Sequence, residues 1–149
     1  MKLSKLALVL FSATVGFSTY ATDISGIWQQ IDDKSGAPKA IIQIHKEANN
    51  TYTGKIVKIT PRPGYKPRAT CINCPAPYTN KAILGMDVLK GLVQQKQVKN
   101  YEKGKIIDPL TGKIYSAKAK LNASGSRLTL KAYIGTSTLG RSQTWIREN

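Results

Sequence analysis

Residues 114–134 read IYSAKAKLNASGSRLTLKAYI, and this stretch decides the fold. Apolar residues alternate with polar ones along both halves of it, which is the pattern of a half-buried β-strand. Ser124 and Gly125, between the halves, are typical of a two-residue hairpin turn, which would place Leu121 opposite Leu128. The two apolar sets then share one face, so we predict an antiparallel β-hairpin.

The rest of the chain repeats short strands between turn signals. Residues 32–36 and 108–112 each begin with an aspartate that can bond to nearby backbone and end with a glycine suited to positive φ. Residues 83–93 fit either a short helix or a strand, and their two glycines favour the strand. Strands are predicted at residues 23–31, 39–44, 52–59, 83–93, 96–107, 115–121, 128–134 and 141–147.

A long proline-rich segment interrupts this series. Residues 61–81 hold five of the seven prolines together with several arginines and lysines. A loop of this length in a compact domain is usually a functional lid or a disordered segment, and we predict a lid. The predicted fold is all-β: a single antiparallel, roughly eight-stranded up-and-down barrel with one long Pro-rich loop, because closure removes unpaired strand edges.

The amino terminus has the pattern of a signal peptide. Residues 1–5 are basic, residues 6–17 are apolar, and the segment 19–21, with the small side chains of Thr19 and Ala21, precedes the expected cut. The apolar run is shorter than the roughly 20 residues of a membrane-spanning helix. We therefore predict a signal peptide at 1–21 and a barrel domain at 22–149 that is periplasmic or secreted and does not span the membrane.

The chain is strongly basic, with 23 lysines and arginines against eight acids and a formal charge of +15. Such a charge favours anionic partners, among them lipid headgroups, acidic glycans of the cell envelope and nucleic acid. A solvated basic surface without a specific partner is the alternative. The predicted hairpin places Lys118 opposite Lys131, a repulsion that a bound anion would relieve. Export argues against nucleic acid as the partner.

Cys71 and Cys74 form a Cys-x-x-Cys pair. In an exported chain we expect them to form a structural disulfide with each other. A redox pair would begin a helix, whereas prolines follow Cys74 at once. A zinc site needs four protein ligands or three plus water, and His45 is the one histidine, so neither a metal nor a cofactor is predicted.

No catalytic constellation stands out. His45 lies beside Lys46 and Glu47 at a strand end, far from any nucleophile motif. Acids that might serve as a catalytic pair, such as Asp32 and Asp108, are explained by their turns. The chain is therefore predicted not to be an enzyme.

The two tryptophans lie near the two ends of the domain. Trp28 follows Gly26 in the first strand, and Trp145 shares one face of the last strand with Arg141 and Arg147. If these strands pair and close the barrel, an arginine can lie over an indole, so these four aromatic and basic side chains are predicted to be structural. A Gly-x-Trp start with a basic residue from the last strand resembles the lipocalin superfamily.

Several longer motifs resemble a family of small secreted bacterial proteins that is a domain of unknown function. They are DISGIW at residues 23–28, IDPLTGKIY at 107–115 and LGRSQTW at 139–145. This resemblance implies a lipocalin-like barrel in the envelope of a Gram-negative bacterium, with ligand binding expected and no established reaction.

These features predict a carrier of a small amphiphilic or anionic apolar ligand, such as a fatty acid or another lipid-like molecule. Small inward residues, Ala117 among them, are expected to leave room inside the barrel; a barrel packed solid is the alternative. The predicted ligand-binding residues are Tyr115, Ala117, Leu128, Leu130 and Ile134, with Tyr65 and Arg68 near the acidic head. The rival function is a non-enzymatic envelope interaction module or enzyme inhibitor acting through loop 61–81 and the basic outer face.

Overall fold

The computed structural model describes residues 23–149, so the predicted signal peptide lies outside the described residues. Eight β-strands follow one another in this part of the chain. They are β1 Gly26–Ile31, β2 Pro38–Lys46, β3 Thr51–Ile59, β4 Asp87–Gln94, β5 Asn100–Ile107, β6 Ile114–Leu121, β7 Arg127–Tyr133 and β8 Gly140–Arg147. Between residues 23 and 149 there is no helix long and apolar enough to cross a membrane.

The strands form a closed barrel in which each strand pairs antiparallel with its sequence neighbours and β8 returns to β1. The predicted all-β, up-and-down barrel is therefore confirmed. Residues 87–93 are strand as predicted, whereas residues 83–86 belong to the preceding loop, and β5 begins at Asn100 rather than at residue 96. The closing seam is short, since only three residue pairs join β1 to β8, from Trp28 with Arg147 to Gln30 with Trp145.

The hairpin of β6 and β7 has the predicted register, with Leu121 opposite Leu128 and Lys118 opposite Lys131. Its turn differs from the prediction. The Gly125 N–H donates to the Asn122 carbonyl (3.1 Å), which puts Ala123 and Ser124 at the centre of the turn and Gly125 at a φ of 75°. A four-residue loop of this kind keeps the same cross-strand partners as a two-residue turn, so the register is unaffected.

The loops divide the barrel into two ends. Loops 47–50, 95–99 and 122–126 lie at one end, which we call the closed end. Loops 32–37, 60–86, 108–113 and 134–139 lie at the other, which we call the open end. Because strands alternate in direction, every second connection lies at the same end, and the longest connection of the chain therefore lies at the open end.

The closed half of the barrel is filled by large side chains. Trp28 and Trp145 are fully buried there, and the rings of Tyr52 and Tyr101 meet edge to face with centroids 5.3 Å apart. Ile24, ahead of β1, is also fully buried, and its carbonyl accepts a hydrogen bond of 2.9 Å from the Trp28 indole N–H. Burial raises the pKa of Tyr101 to about 12, as expected for a phenol in an apolar interior.

Arg147 joins the segment before β1 to the β6–β7 loop at the closed end. Its guanidinium lies over the Trp28 ring at 4.3 Å and donates to the carbonyl oxygens of Ser25 (2.6 Å), Asp23 (2.7 Å) and Gly125 (2.7 Å). An arginine thus lies over an indole at this end of the barrel, and it is Arg147. Burial lowers the pKa of this guanidinium, and the nearby Asp23 carboxylate opposes that shift.

Candidate functional site

The open half of the barrel holds a cavity of about 570 Å³. Its size falls within the range of ligand pockets, roughly 300–1,000 Å³. Most of the inner wall is apolar and comes from several strands. The apolar lining includes Ile42 of β2, Ile56 and Ile59 of β3, Val88 of β4, Ile106 and Ile107 of β5, Tyr115 of β6, Ala132 of β7 and Trp145 of β8.

The alternation of the strands explains this wall. On β2, Ala40, Ile42 and Ile44 point to the same inner face, and the first two lie toward the open end. Ile42 is paired with Ile56 of the neighbouring strand, so the two apolar side chains lie side by side in the cavity. The inner face thus continues from the packed closed half into the open half without a change of polarity.

A polar cluster interrupts the apolar wall beside the closing seam. Gln30 of β1 donates from its amide to the Gln143 side-chain oxygen of β8 (2.8 Å), and the Trp145 indole N–H lies 3.2 Å from the same oxygen. All three side chains line the cavity. Gln143 therefore fixes the indole at the floor of the cavity and joins the first strand to the last.

Arg62 lies at the mouth of the cavity. Its Nη1 donates to the Asp32 carboxylate (3.1 Å), and its guanidinium carbon lies 4.7 Å from the centre of the Tyr65 ring. Its Nε is buried and has no hydrogen-bond partner in the described part of the chain. A buried donor without a partner costs free energy, so this N–H favours an acceptor brought by a ligand.

Asp32 is an ionised anchor for that arginine. The Ser35 backbone N–H (2.9 Å) and hydroxyl (3.0 Å) and the Lys34 backbone N–H (3.1 Å) all donate to it. These donors, with Arg62, hold the pKa of the Asp32 carboxyl well below its usual range. The predicted Asp-to-Gly turn therefore also orients an arginine at the mouth.

Arg68 and Arg141 also line the mouth, and both are exposed. Among residues 23–149, neither arginine forms a salt bridge. The lining also holds two acids, Asp33 and Asp108, and Asp108 accepts from the Leu110 backbone N–H (2.9 Å) and the Thr111 hydroxyl (3.0 Å) of its own turn. Two arginines without a salt bridge among the described residues thus face the entrance.

Loop 60–86, which contains the segment predicted to be a lid, contributes Arg62, Tyr65 and Arg68 to the cavity lining. At one end Arg62 bonds to Asp32, and further along Arg68 Nη1 lies 3.5 Å from the Leu110 carbonyl oxygen. The loop carries a small hairpin in which the Cys71 N–H donates to the Lys81 carbonyl (2.9 Å). Loop 60–86 is thereby tied to two other loops of the open end.

The disulfide lies where this loop packs on loop 108–113. Cys71 and Cys74 form the predicted bond with each other, and their sulfurs lie 3.6 and 3.9 Å from the Pro109 carbonyl oxygen. Gly112 has a φ of 74°, and a Cβ there would overlap the backbone of Asn73. Loop 108–113 therefore supports loop 60–86 by close backbone contact that only glycine permits.

The predicted ligand-binding residues divide between the two halves. Tyr65, Arg68, Tyr115 and Ile134 line the cavity. The other three predicted positions, Ala117, Leu128 and Leu130, are fully buried and do not line it, so their expected placement is wrong.

The space expected beside Ala117 is occupied. Ala117 pairs with Gly104, and Leu92 packs so closely on Gly104 that a Cβ there would lie 2.7 Å from it. Small residues at these two positions therefore accommodate a neighbouring leucine rather than a ligand.

Arg141 also differs from its prediction. It was expected to be structural, near the tryptophans, but it lies at the open end and lines the mouth, whereas Arg147 on the same strand contacts Trp28. Strand β8 spans the height of the barrel, so two residues on one face of it reach opposite ends.

Sequence reasoning missed most of the apolar wall, including Ile42, Ile56, Val88 and Ile106. Their alternation was visible in the strands, but it shows which face is inward and not how high each residue lies in the barrel. Arg62 was visible as one of several cations in the proline-rich loop. The hydrogen bond to Asp32 distinguishes Arg62 from the other cations, and only the three-dimensional structure shows that bond.

The cavity has the chemistry of a binding site. Across residues 23–149 no three histidine, cysteine or acidic side chains are grouped so as to hold a metal ion. His45 pairs with Glu47 (2.9 Å) where β2 ends at the closed end, and neither residue lines the cavity. The arrangement can enclose an apolar chain and offer guanidinium donors to an acidic group.

An eight-stranded antiparallel barrel with one packed end and an apolar cavity at the other defines a lipocalin-like protein. The chain belongs to the DUF2147 family, described as "uncharacterized protein conserved in bacteria", whose model matches residues 26–147. This confirms the resemblance to a bacterial family of unknown function with a lipocalin-like barrel.

Comparison with solved structures supports the same fold. Protein HP1028 from the human pathogen Helicobacter pylori, described as belonging to the lipocalin family, is similar with a TM-score of 0.71 and 21% sequence identity. The similarity covers 87% of this chain and 85% of that one. A search of curated protein sequences finds no significant match.

Proposed function

We propose that this protein is a non-enzymatic carrier that binds one small amphiphile, an apolar chain with an acidic head such as a fatty acid, in the open half of its barrel. In this proposal residues 1–21 are a signal peptide and the carrier works in the periplasm or outside the cell. The lipocalin-like fold supports a binding role, and the cavity supports the class of ligand.

One observation carries the proposal: an apolar cavity of about 570 Å³ opens at a mouth where Arg68 and Arg141 have no salt-bridge partner among the described residues. An apolar chain buried against Ile42, Ile56 and Ile106 gains about 25 cal/mol for each Å² removed from water. A carboxylate at the mouth pairs with guanidinium groups through charge-assisted hydrogen bonds.

The buried Nε of Arg62 gives the head group a defined place. A carboxylate has two oxygens and suits the planar donor set of a guanidinium. Because Asp32 already holds the Nη1 side of Arg62, an incoming carboxylate would meet the Nε of an arginine whose position is fixed. Fixing the arginine before binding reduces the entropy lost when the ligand arrives.

Fluorescent fatty-acid titration tests the proposal. Ala132→Leu extends a side chain into the cavity and should weaken binding at least about tenfold, because the added volume displaces ligand. Ala123→Leu is the matched control, since Ala123 is exposed in the closed-end loop and does not line the cavity. No binding by the unmodified protein, or equal binding by both variants, would contradict the proposal.

The head group is tested by comparing the fatty acid with its uncharged methyl ester. Loss of charge-assisted hydrogen bonds should weaken binding roughly tenfold in the unmodified protein. In Arg62→Gln the preference for the acid should be smaller, with the remainder supplied by Arg68 and Arg141 at the mouth. A preference for the acid that survives Arg62→Gln undiminished would remove Arg62 from the head-group site.

A further inference from the structure

The exposed apolar side chains of this protein are concentrated at one end of the barrel. Eight large hydrophobic residues are exposed among the described residues. Six of them belong to the open-end loops or the first residue of β6: Ile72, Leu84, Leu110, Ile114, Ile134 and Leu139. We call these six the apolar rim.

The contrast with the rest of the surface is large. Leu139 is 76% exposed and Ile134 is 66% exposed, both in loop 134–139. At the closed end Val98 is the one comparable residue in the described chain, and Val57 lies on the barrel wall. Scattered exposed hydrophobics need no explanation, but a group around one opening marks a surface that contacts something apolar.

Cations surround the same opening. Loop 60–86 carries two arginines and two lysines and no acid, and Arg141 follows loop 134–139. Lys66, Lys81 and Arg68 are exposed. Apolar side chains among basic ones at one end of a molecule match the interface of an anionic bilayer, whose headgroups attract cations and whose acyl region accepts the apolar tips.

We propose that the open end of the barrel docks on an anionic lipid bilayer, with the apolar rim inserted among the headgroups and the mouth of the cavity facing the membrane. This inference deepens the proposed carrier function, because a docked mouth would exchange an amphiphile with the bilayer without exposing its chain to water. Docking itself needs no ligand in the cavity, so the two proposals can fail separately.

The barrel wall offers the rival orientation. Lys118, Lys120 and Lys131 line a shallow groove on the outer face of β5 to β8, with Glu102 on its edge. This face is basic but lacks exposed large hydrophobics apart from Ile114 at its open-end edge. Contact through the wall would therefore be electrostatic only and fully sensitive to salt, whereas contact through the apolar rim would persist in part at high salt.

Vesicle co-sedimentation tests the proposal. All variants are prepared with the same first residue, which mass spectrometry establishes. Phosphatidylcholine vesicles with and without phosphatidylglycerol are the probes, and no free fatty acid is added. The protein should bind the vesicles that contain phosphatidylglycerol. Ile134→Ser with Leu139→Ser, and separately Ile72→Ser with Leu84→Ser, should each reduce the partition coefficient at least about tenfold.

Matched controls decide between the surfaces. Val98→Ser removes an equally exposed hydrophobic side chain at the closed end and should leave vesicle binding unchanged. Lys118→Glu with Lys131→Glu should reduce it less than Arg68→Glu with Arg141→Glu, each pair reversing two charges. Thermal unfolding of every variant separates lost docking from lost folding.

Three results would overturn the docking proposal. They are no binding to anionic vesicles, a larger loss from the wall pair than from the mouth pair, and a loss confined to Ile134 and Leu139, which also line the cavity. Fatty-acid uptake in solution without vesicle binding would leave the carrier standing and remove docking. Vesicle binding without fatty-acid uptake would leave docking standing and remove the carrier proposal.

Discussion

The closed half and the open half of this barrel are made by the same eight strands, yet they differ in what fills them. In the closed half, Trp28, Trp145 and the tyrosine pair fill the interior and Arg147 bonds three carbonyl groups across the end. In the open half, aliphatic side chains line a cavity and arginines stand at its mouth. The packed core thus lies mainly in one half, whereas the other half holds the cavity on which the proposed carrier function depends.

The largest expected effect breaks the closed half. Trp28→Ala should lower the free energy of unfolding by about 3–5 kcal/mol, since it removes a fully buried indole and the surface on which Arg147 stacks. Tyr115→Ala, a half-buried aromatic of the open half, should cost about 1 kcal/mol. Urea unfolding measures both, and equal losses would contradict the division into two halves.

The two arginines of β8 give a sharper comparison. Arg147→Lys should cost about 2 kcal/mol, because one ammonium group cannot reach the carbonyl groups of Asp23, Ser25 and Gly125 as the planar guanidinium does. Arg141→Lys, at the exposed mouth, should change the unfolding free energy by no more than about 0.5 kcal/mol. Thermal and urea unfolding of the two variants would be compared side by side, and a costly Arg141→Lys would refute the assignment of Arg141 to the mouth.

Ala117 and Ala132 are cross-strand partners, so they test the boundary between the halves. Ala117→Leu should destabilise the fold by about 1–3 kcal/mol, because Leu92 already fills the space beside Gly104. Ala132→Leu points into the cavity and should cost less than about 0.5 kcal/mol while reducing ligand binding. Calorimetry of both variants measures the two losses of stability. A larger loss for Ala132→Leu than for Ala117→Leu would contradict the position given to the boundary between core and cavity.

One titrating group in each half should also respond to an opposite extreme of pH, Asp32 in the open half and Tyr101 in the closed half, and this is the smallest effect. Hydrogen-bond donors lower the pKa of Asp32 in the folded state. Its contribution to the free energy of unfolding is therefore present above its unfolded pKa and is lost as pH falls below about 4. Burial raises the pKa of Tyr101 in the folded state to about 12. Its contribution to the free energy of unfolding is therefore present below about pH 10 and is lost as pH rises further.

The free energy of unfolding measured as a function of pH has an acid arm, to which Asp32 contributes, and an alkaline arm, to which Tyr101 contributes. Asp32→Asn should reduce the acid arm and leave the alkaline arm in place; the part that remains comes from Glu47, whose pKa is also lowered, chiefly by a hydrogen bond with Thr53. Tyr101→Phe should reduce the alkaline arm alone; the part that remains comes from Tyr52, whose pKa burial also raises. A variant that changed both arms equally would show that the two groups do not report on separate halves.

Much of the fold was predictable because the relevant signals are local. The β6–β7 register was correct although the turn was not, since a two-residue turn at Ser124-Gly125 and the observed loop 123–126 place Leu121 opposite the same residue. The contact of Arg147 with Trp28 followed from the face of the last strand once closure was assumed.

The site was less predictable because its position depends on the height of each residue in the barrel. Ala117 seemed to leave room, but Leu92 packs closely on Gly104, the cross-strand partner of Ala117. Arg62 gains its place from Asp32, thirty residues earlier in the chain, through a contact that no local pattern encodes. Periodicity identified the inner face, and only the packed structure shows where that face stops being core and becomes cavity.

Isoleucine methyl NMR during titration with a fatty acid tests the central claim most directly, because isoleucines lie in both halves. The methyl signals of Ile42, Ile56 and Ile106, which line the cavity, should shift or broaden as the ligand is added. Those of Ile24 and Ile44, buried outside the cavity lining, should stay in place. No change at the first three, or equal changes at all five, would contradict a binding cavity confined to the open half.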